Sequence, residues 1–212
     1  MRYSGRSVFL ASMHQKEEAI APIFERELGC KLVLGEIDTD KFGTFTGDIK
    51  REQSPYDTCL LKAKHGAKLH DYCLSVASEG SFGPHPANPF VASAEEIMVF
   101  LDLEHNWVIA ERLITTKTNY QTLLVKKDTD INAFLSAVIF PSHALTIQIP
   151  ESTTSLAKGI RDVEVLKAQL ELGFLTSNAL LLATDMRAMM NPTRMRTLGE
   201  LAARLARRIL TA

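Results

Sequence analysis

Short apolar runs of strand length alternate in this chain with stretches whose apolar residues recur every three or four positions, and no other feature narrows the fold as far. Residues 8–11 (VFLA) form the first run. Ile20, Ile23, Phe24 and Leu28 follow at helical spacing, and Gly29 closes the pattern. Pro22 lies inside it, so the helix is expected to start late or kink there. Residues 31–37 read as a second strand, and 38–47 (DTDKFGTFTG) as a long loop. A further helix starts with Ser54 as N-cap and Pro55 at its first position, runs through Leu60, Leu61, Ala63 and Ala67, and ends near 70–71. Residues 73–77 are strand-like, and 97–101 with 107–114 flank Glu104, His105 and Asn106 as a hairpin. The second half gives strands at 123–125, 144–149 and 179–183 and helices at 131–138 and 162–172. The last helix has Asn191 as N-cap, Pro192 after it and a stripe of Met195, Leu198, Leu201, Ala202, Leu205 and Ile209. This order predicts an α/β fold with a mixed, mostly parallel central sheet flanked by helices. One domain spans 1–212, with two lobes at about 1–115 and 116–212 as its subdivision.

Charge and cysteine usage restrict the function classes. The net charge is −1, but residues 185–212 carry six arginines against Asp185 and Glu200, which leaves −5 on the rest. That remainder opposes extended contact with nucleic acid. Cys30, Cys59 and Cys73 lack Cys-x-x-Cys spacing, which fits a reducing compartment, and no signal-peptide core or membrane span is present. A cytoplasmic location follows as the expectation.

The segment ASEGSFGPHP (77–86) places Glu79 and a glycine-rich, proline-stiffened turn directly after an apolar run. In an open α/β sheet such a strand end exposes an acid and backbone N–H groups where ligands bind, here at Gly80 and Ser81. The same residues also suit a plain tight turn. Asp57, Glu79 and Asp102 fall at strand ends or helix starts, with Asp38, Asp40 and Asp48 on the preceding loop. Carboxylates so placed suit Mg²⁺, which takes one or two of them and completes its shell with water and substrate phosphate. Ser54-x-x-Asp57 is equally a capping arrangement, and Asp102 equally the polar end of a hairpin strand. Lys16, at the start of the first helix, stands where a phosphate would meet a cation together with helix N–H groups. Arg187 and Arg194 flank the start of the last helix and form a second candidate for phosphate, with Asp185 placed to orient a guanidinium; a surface salt bridge is the alternative. His14 and His85 lack the close spacing of a metal pair. No Gly-x-Ser-x-Gly elbow, Walker loop or Gly-x-Gly-x-x-Gly occurs.

Three stretches, DTDKFGTFTGDIKRE (38–52), ASEGSFGPHP (77–86) and TDMRAMMNPTR (184–194), resemble an uncharacterised bacterial family known as a domain of unknown function. A more distant likeness is to the inosine triphosphatase-like, house-cleaning nucleoside triphosphate pyrophosphatases. It is carried by Ser12-Met13-His14-Gln15-Lys16, Asp57-Thr58-Cys59-Leu60-Leu61-Lys62-Ala63 and Ser78-Glu79-Gly80-Ser81. The resemblance implies a two-lobed fold of that kind, with Lys16, Ser12 and His14 at the phosphates, Asp57 and Glu79 holding Mg²⁺, and Arg187 as base or phosphate contact. His14 stands where those enzymes have Asn, and Lys16 comes one residue early. Relatives of the first family often continue into a Cys-rich tail, so a metal-binding segment beyond residue 212 is a further expectation.

These features point first to a Mg²⁺-dependent phosphoanhydride hydrolase acting on a nucleotide or related phosphorylated small molecule. In it Glu79, Lys16 and Arg187 do the chemistry, and Ser12, His14, Gly80, Ser81 and Arg194 help to hold phosphate. The alternative is a non-catalytic module that binds nucleic acid or a protein through Arg204, Arg207 and Arg208 of the last helix. A homodimer is compatible with either.

Overall fold

The structure, a computed structural model, describes residues 2–37, 53–152 and 154–212. Its first sheet is built from β1 (Ser7–Ala11), β2 (Lys31–Val33), β3 (Leu74–His85), β4 (Asn88–Asp102) and β5 (Trp107–Thr115), in the order β2-β1-β3-β4-β5. The chain leaves β1 through helix α1 (Glu17–Leu28) to β2, then crosses by α2 (Pro55–Leu69) to β3 on the other side of β1. β1 is therefore parallel to both neighbours, whereas β3, β4 and β5 follow one another as antiparallel hairpins. The sheet is mixed but not mostly parallel as expected. Helical crossovers enforce parallel strands only up to β3, and the short turns after it reverse the chain.

Alternation along β1 sets the layers. Val8 and Leu10 face α1 and the last helix, α5 (Pro192–Thr211), in a core that includes Ile20, Phe24, Met98, Phe100, Leu201 and Leu205. Phe9 and Ala11 face α2, against Cys59, Ala63 and Ala67. Leu198, Leu201, Leu205 and Ile209 of α5 are buried, each contributing about 1.5–3 kcal/mol. α1 runs through Pro22 from Glu17 without starting late, because Ile20 and Phe24 on either side are fully buried, and it stops at Gly29 in the left-handed region.

A second sheet holds β6 (Thr122–Val125), β7 (Leu145–Gln148), β8 (Ser155–Ile160) and β9 (Leu180–Thr184), ordered β6-β9-β7-β8 and antiparallel throughout. Helices α3 (Asn132–Ala137) and α4 (Val163–Gly173) lie between its strands in the chain. β8 (SLAKGI) has no expectation behind it, since Lys158 and Gly159 interrupt its apolar residues. After β9 a single turn of 3₁₀-helix, Ala188–Met190, leads into α5, which returns to the first sheet. Asn191 caps α5 by accepting from the Arg194 N–H at 3.0 Å, and Ser54 caps α2 through the Asp57 N–H at 3.1 Å, both as their sequences indicate.

The glycine-rich stretch after residue 77 is not a turn. β3 continues through Gly80, Gly83 and Pro84 to His85, paired with β4. β1 accompanies β3 only as far as Ala77, and Pro84 sits beside a register shift where its missing N–H is tolerated. The loop at 38–47, and with it Asp38, Asp40 and Asp48, lies outside the described residues. Cys30, Cys59 and Cys73 are free thiols, the first two buried. Among the described residues no helix is long and apolar enough to cross a membrane.

Candidate functional site at the carboxyl end of β1

The loop from β1 into α1 is held in an unusual backbone conformation. His14 and Gln15 both have positive φ, 70° and 56°, a region that non-glycine residues enter at a cost of about 1–3 kcal/mol each. The Ser12 N–H donates to the Leu10 carbonyl at 3.0 Å, and the Met189 N–H donates to the His14 carbonyl at 3.1 Å, tying the loop to the turn before α5. This geometry sends Lys16 inward. Its ammonium is buried and donates to the carbonyl and the hydroxyl of Ser78 on β3, at 2.9 and 3.0 Å.

Four other buried charges act on that ammonium: Lys62, Glu79, Glu96 and Arg194. Lys62, on the Cys59 and Ala63 face of α2, forms an ion pair with Glu79 of β3. Arg194, in the first turn of α5, grips Glu96 of β4 with two donors, Nε to Oε1 at 2.6 Å and Nη2 to Oε2 at 3.3 Å. A third donor, Nη1, goes to the Met186 carbonyl, and the guanidinium lies 5.0 Å from the Phe82 ring centre. Two cations are thus matched by two carboxylates, while Lys16 meets neutral oxygens. Burial, reinforced by Arg194 and Lys62 and opposed by Glu79 and Glu96, pushes its pKa down from 10.5 to about 8.

Gly80 has a steric duty here. A Cβ on it would stand 2.5 Å from Arg194 Nη2 and 2.7 Å from the Glu96 carboxylate oxygens, so any other residue would force the buried pair to shift. Ser81 follows it, half-buried, in the same strand.

Other expected residues lie apart from this cluster. Arg187 is held by Asp185, Nη2 to Oδ2 at 2.6 Å, while the buried Asp185 also accepts from the Gly159 N–H at 3.0 Å, in the second sheet. Asp57 is exposed, with its carboxylate against the Ser54 hydroxyl at 2.5 Å, in the cap of α2. Asp102 is buried and accepts from Tyr3 and His105 at 2.9 and 2.8 Å. Together with Glu104 and His105 it makes the only grouping of three metal-ligand side chains among the described residues, and Glu104 there is engaged by Arg6. Arg204 and Arg208 of α5 pair with Glu200 and Glu111.

Sequence reasoning missed Ser78, Lys62 and Glu96 as members of the site. Lys62 was detectable, since it falls three residues after Cys59 and beside Ala63 on the buried stripe of α2. Glu96 was too, because it shares a strand face with Met98 and Phe100.

A domain of unknown function, DUF6671, matches residues 62–212. The chain belongs to this family. The match takes in Lys62, Glu79, Glu96, Arg187 and Arg194 and the whole second sheet, while Lys16 and Asp57 precede it. No curated protein matches the sequence.

Proposed function

We propose that this member of the DUF6671 family binds a phosphorylated small molecule at the carboxyl end of β1 and hydrolyses a phosphoanhydride in it with Mg²⁺. One observation carries the reading: the described residues of the buried cluster set three cations against two carboxylates, and Lys16 is met by uncharged oxygens alone. A bound phosphate would supply the missing negative charge. Buried charge without a counter-charge is costly, which makes an anionic ligand the natural complement.

Topology supports the same place. α1 leads from β1 to β2 on one side while β3 lies on the other, and ligands of open α/β sheets bind at the carboxyl ends of strands where the order so diverges. In this reading Lys16 and the backbone of residues 12–16, with Ser12 and His14, receive the phosphate. Arg194 and Lys62 strengthen the local positive potential, which favours charge building on the departing group. Glu79, steadied by Lys62, supplies a carboxylate to Mg²⁺, with substrate oxygens and water as further ligands. The likeness to inosine triphosphatase-like enzymes supports the reaction class, without Asp57, which stays in the cap of α2. The arginine helix as a nucleic-acid surface gains no such support, because Arg194 is buried and Arg204 and Arg208 face acidic partners.

Thermal unfolding in the presence of phosphate, pyrophosphate and nucleoside mono- and triphosphates, each with and without Mg²⁺, tests the proposal. A shift that needs phosphate and disappears in Lys16→Met, together with Mg²⁺-dependent phosphate or pyrophosphate release, is the expected result. No shift with any of these anions removes the reading.

A further inference from the structure

Helices α1 and α5 pack against each other, and beside their first turns lies a cavity of about 630 Å³. Ala19, Ala188 and Gly199 are too small to fill it, and Met189, Pro192 and Met195 give it an apolar wall. Two guanidiniums, Arg161 just after β8 and Arg196 of α5, line the same space together with Glu18 of α1. A concave, mostly apolar hollow with a few charged groups is the usual form of a small-molecule site. We propose that this cavity is a second ligand site, separate from the Lys16 cluster, and that it takes a small molecule with an apolar body and a single carboxylate.

The two arginines differ from most others in the chain. Arg6, Arg112, Arg187, Arg194, Arg204 and Arg208 each pair with a carboxylate. Among the described residues Arg161 and Arg196 meet only neutral oxygens: Arg161 Nη2 donates to the Met189 carbonyl at 2.9 Å, and Arg196 Nη2 donates to the Thr193 hydroxyl at 3.0 Å. A guanidinium carries five N–H donors, so one bond orients each fork without filling it. Besides burial, these same two arginines hold down the pKa of His143, which shows that their fields overlap.

Charge and shape set the class of ligand. Two guanidiniums against Glu18 leave the cavity one positive charge in excess, which suits a monoanion better than the double charge of a terminal phosphate. The guanidinium fork matches the two oxygens of a carboxylate in one plane. Methionine is unbranched and polarisable, so Met189 and Met195 can mould to an apolar body of irregular outline. The Met189 N–H bonds to the His14 carbonyl at 3.1 Å and so joins this wall to the loop that carries Lys16, but the inference stands independently of the phosphate reading.

Decanoate is a suitable probe, with decanol and decylamine as its neutral and cationic counterparts of equal length, and with acetate and inorganic phosphate as anions that lack an apolar body. Each is titrated, below any micelle-forming concentration, into the full chain labelled with ¹³C-methyl methionine, and the seven methionine signals are followed by NMR. Met189→Leu and Met195→Leu assign the two signals of the wall. The expected result is that decanoate shifts these two saturably and leaves the fully buried Met98 in place. It binds about tenfold or more tighter than any of the four controls, and Arg161→Gln combined with Arg196→Gln, shown folded by circular dichroism, removes that advantage. The single variants serve if the double variant does not fold. Wall signals that decanoate leaves unmoved overturn the inference, as does full affinity in the folded arginine variants. Decanol or decylamine binding as tightly as decanoate overturns the carboxylate, and acetate or phosphate doing so overturns the apolar body.

Discussion

Replacing Lys16 with methionine gives the most direct physical test of the site, because it needs no knowledge of the ligand. The folded chain lowers the Lys16 pKa from 10.5 to about 8, so below pH about 8 the charged ammonium is disfavoured relative to the unfolded chain by about 3 kcal/mol. The unfolded chain holds this proton up to the ordinary lysine range, whereas the folded chain releases it earlier. Stability therefore rises with pH across that window and is insensitive to this group below it. Lys16→Met has no proton to lose there. Its absolute stability near neutrality reflects two opposed effects, the removed penalty and the lost bonds to Ser78, but its slope does not. Urea unfolding followed by the fluorescence of Trp107, the single tryptophan, should show wild type gaining on the variant by about 3 kcal/mol as pH rises from about 7 to about 10. The buried thiol of Cys30, raised by burial and not acted on by Lys16, contributes equally in both chains. Parallel pH curves would refute the reasoning, since they would mean that Lys16 is no more buried in solution than in the unfolded chain.

Glu79→Gln should cost about 3–5 kcal/mol in urea unfolding by leaving Lys62 charged and buried, and adding Lys62→Met should recover most of it; a silent single variant would show that the pair is not desolvated. Gly80→Ala should destabilise by about 1–3 kcal/mol, read as a lower melting temperature, because the new methyl collides with the Arg194–Glu96 pair, and unchanged stability would mean that the strand stands farther off. His143 accepts the Thr193 N–H at the start of α5, and burial, aided by Arg196 and Arg161, lowers its pKa below the usual histidine value of 6.5. Since the unfolded chain takes that proton first, stability should fall as pH drops below about 6.5, and His143→Leu should flatten this fall in denaturation measured against pH.

The helices were the legible part of the fold, because their signals are local. Ser54 with Pro55 and Asn191 with Pro192 each combine a side-chain cap with a residue pre-set for the first turn, and both helices begin where those pairs stand. Strand partners are non-local, so an apolar run such as 73–77 announces a strand without saying which neighbour it takes or how far it extends. Gly80, Gly83 and Pro84 read as a turn by residue type. What makes them strand is the pairing with β4 from Ala92 to Ile97 and the early departure of β1, neither of which is written near residue 80.

The site divides along the same line. Lys16 and Glu79 were singled out in sequence by their positions just after an apolar run, and the structure brings both into the buried cluster. Arg194 stands at the start of α5, where the sequence suggested a phosphate contact or, alternatively, a surface salt bridge, and the helix turns that position onto Glu96 across the interior. The surface α5 does present carries Arg196, Arg207 and Arg208, and a helix register read from the stripe Leu198, Leu201, Leu205 and Ile209 already puts residue 194 on the buried face, four residues before Leu198. Lys62 and Glu96 obey the same rule, each a charged residue on the apolar face of its element. An alternation that places a charge on a core face demands a partner there, because an unpaired buried charge costs several kcal/mol. Lys62, Glu96 and Arg194 announce that demand in sequence, and Glu79 answers it for Lys62 while Glu96 and Arg194 answer each other. Lys16 meets the demand with the carbonyl and hydroxyl of Ser78, with Glu79 and Glu96 acting on it from farther off, a satisfaction by neutral oxygens that no local sequence signal announces.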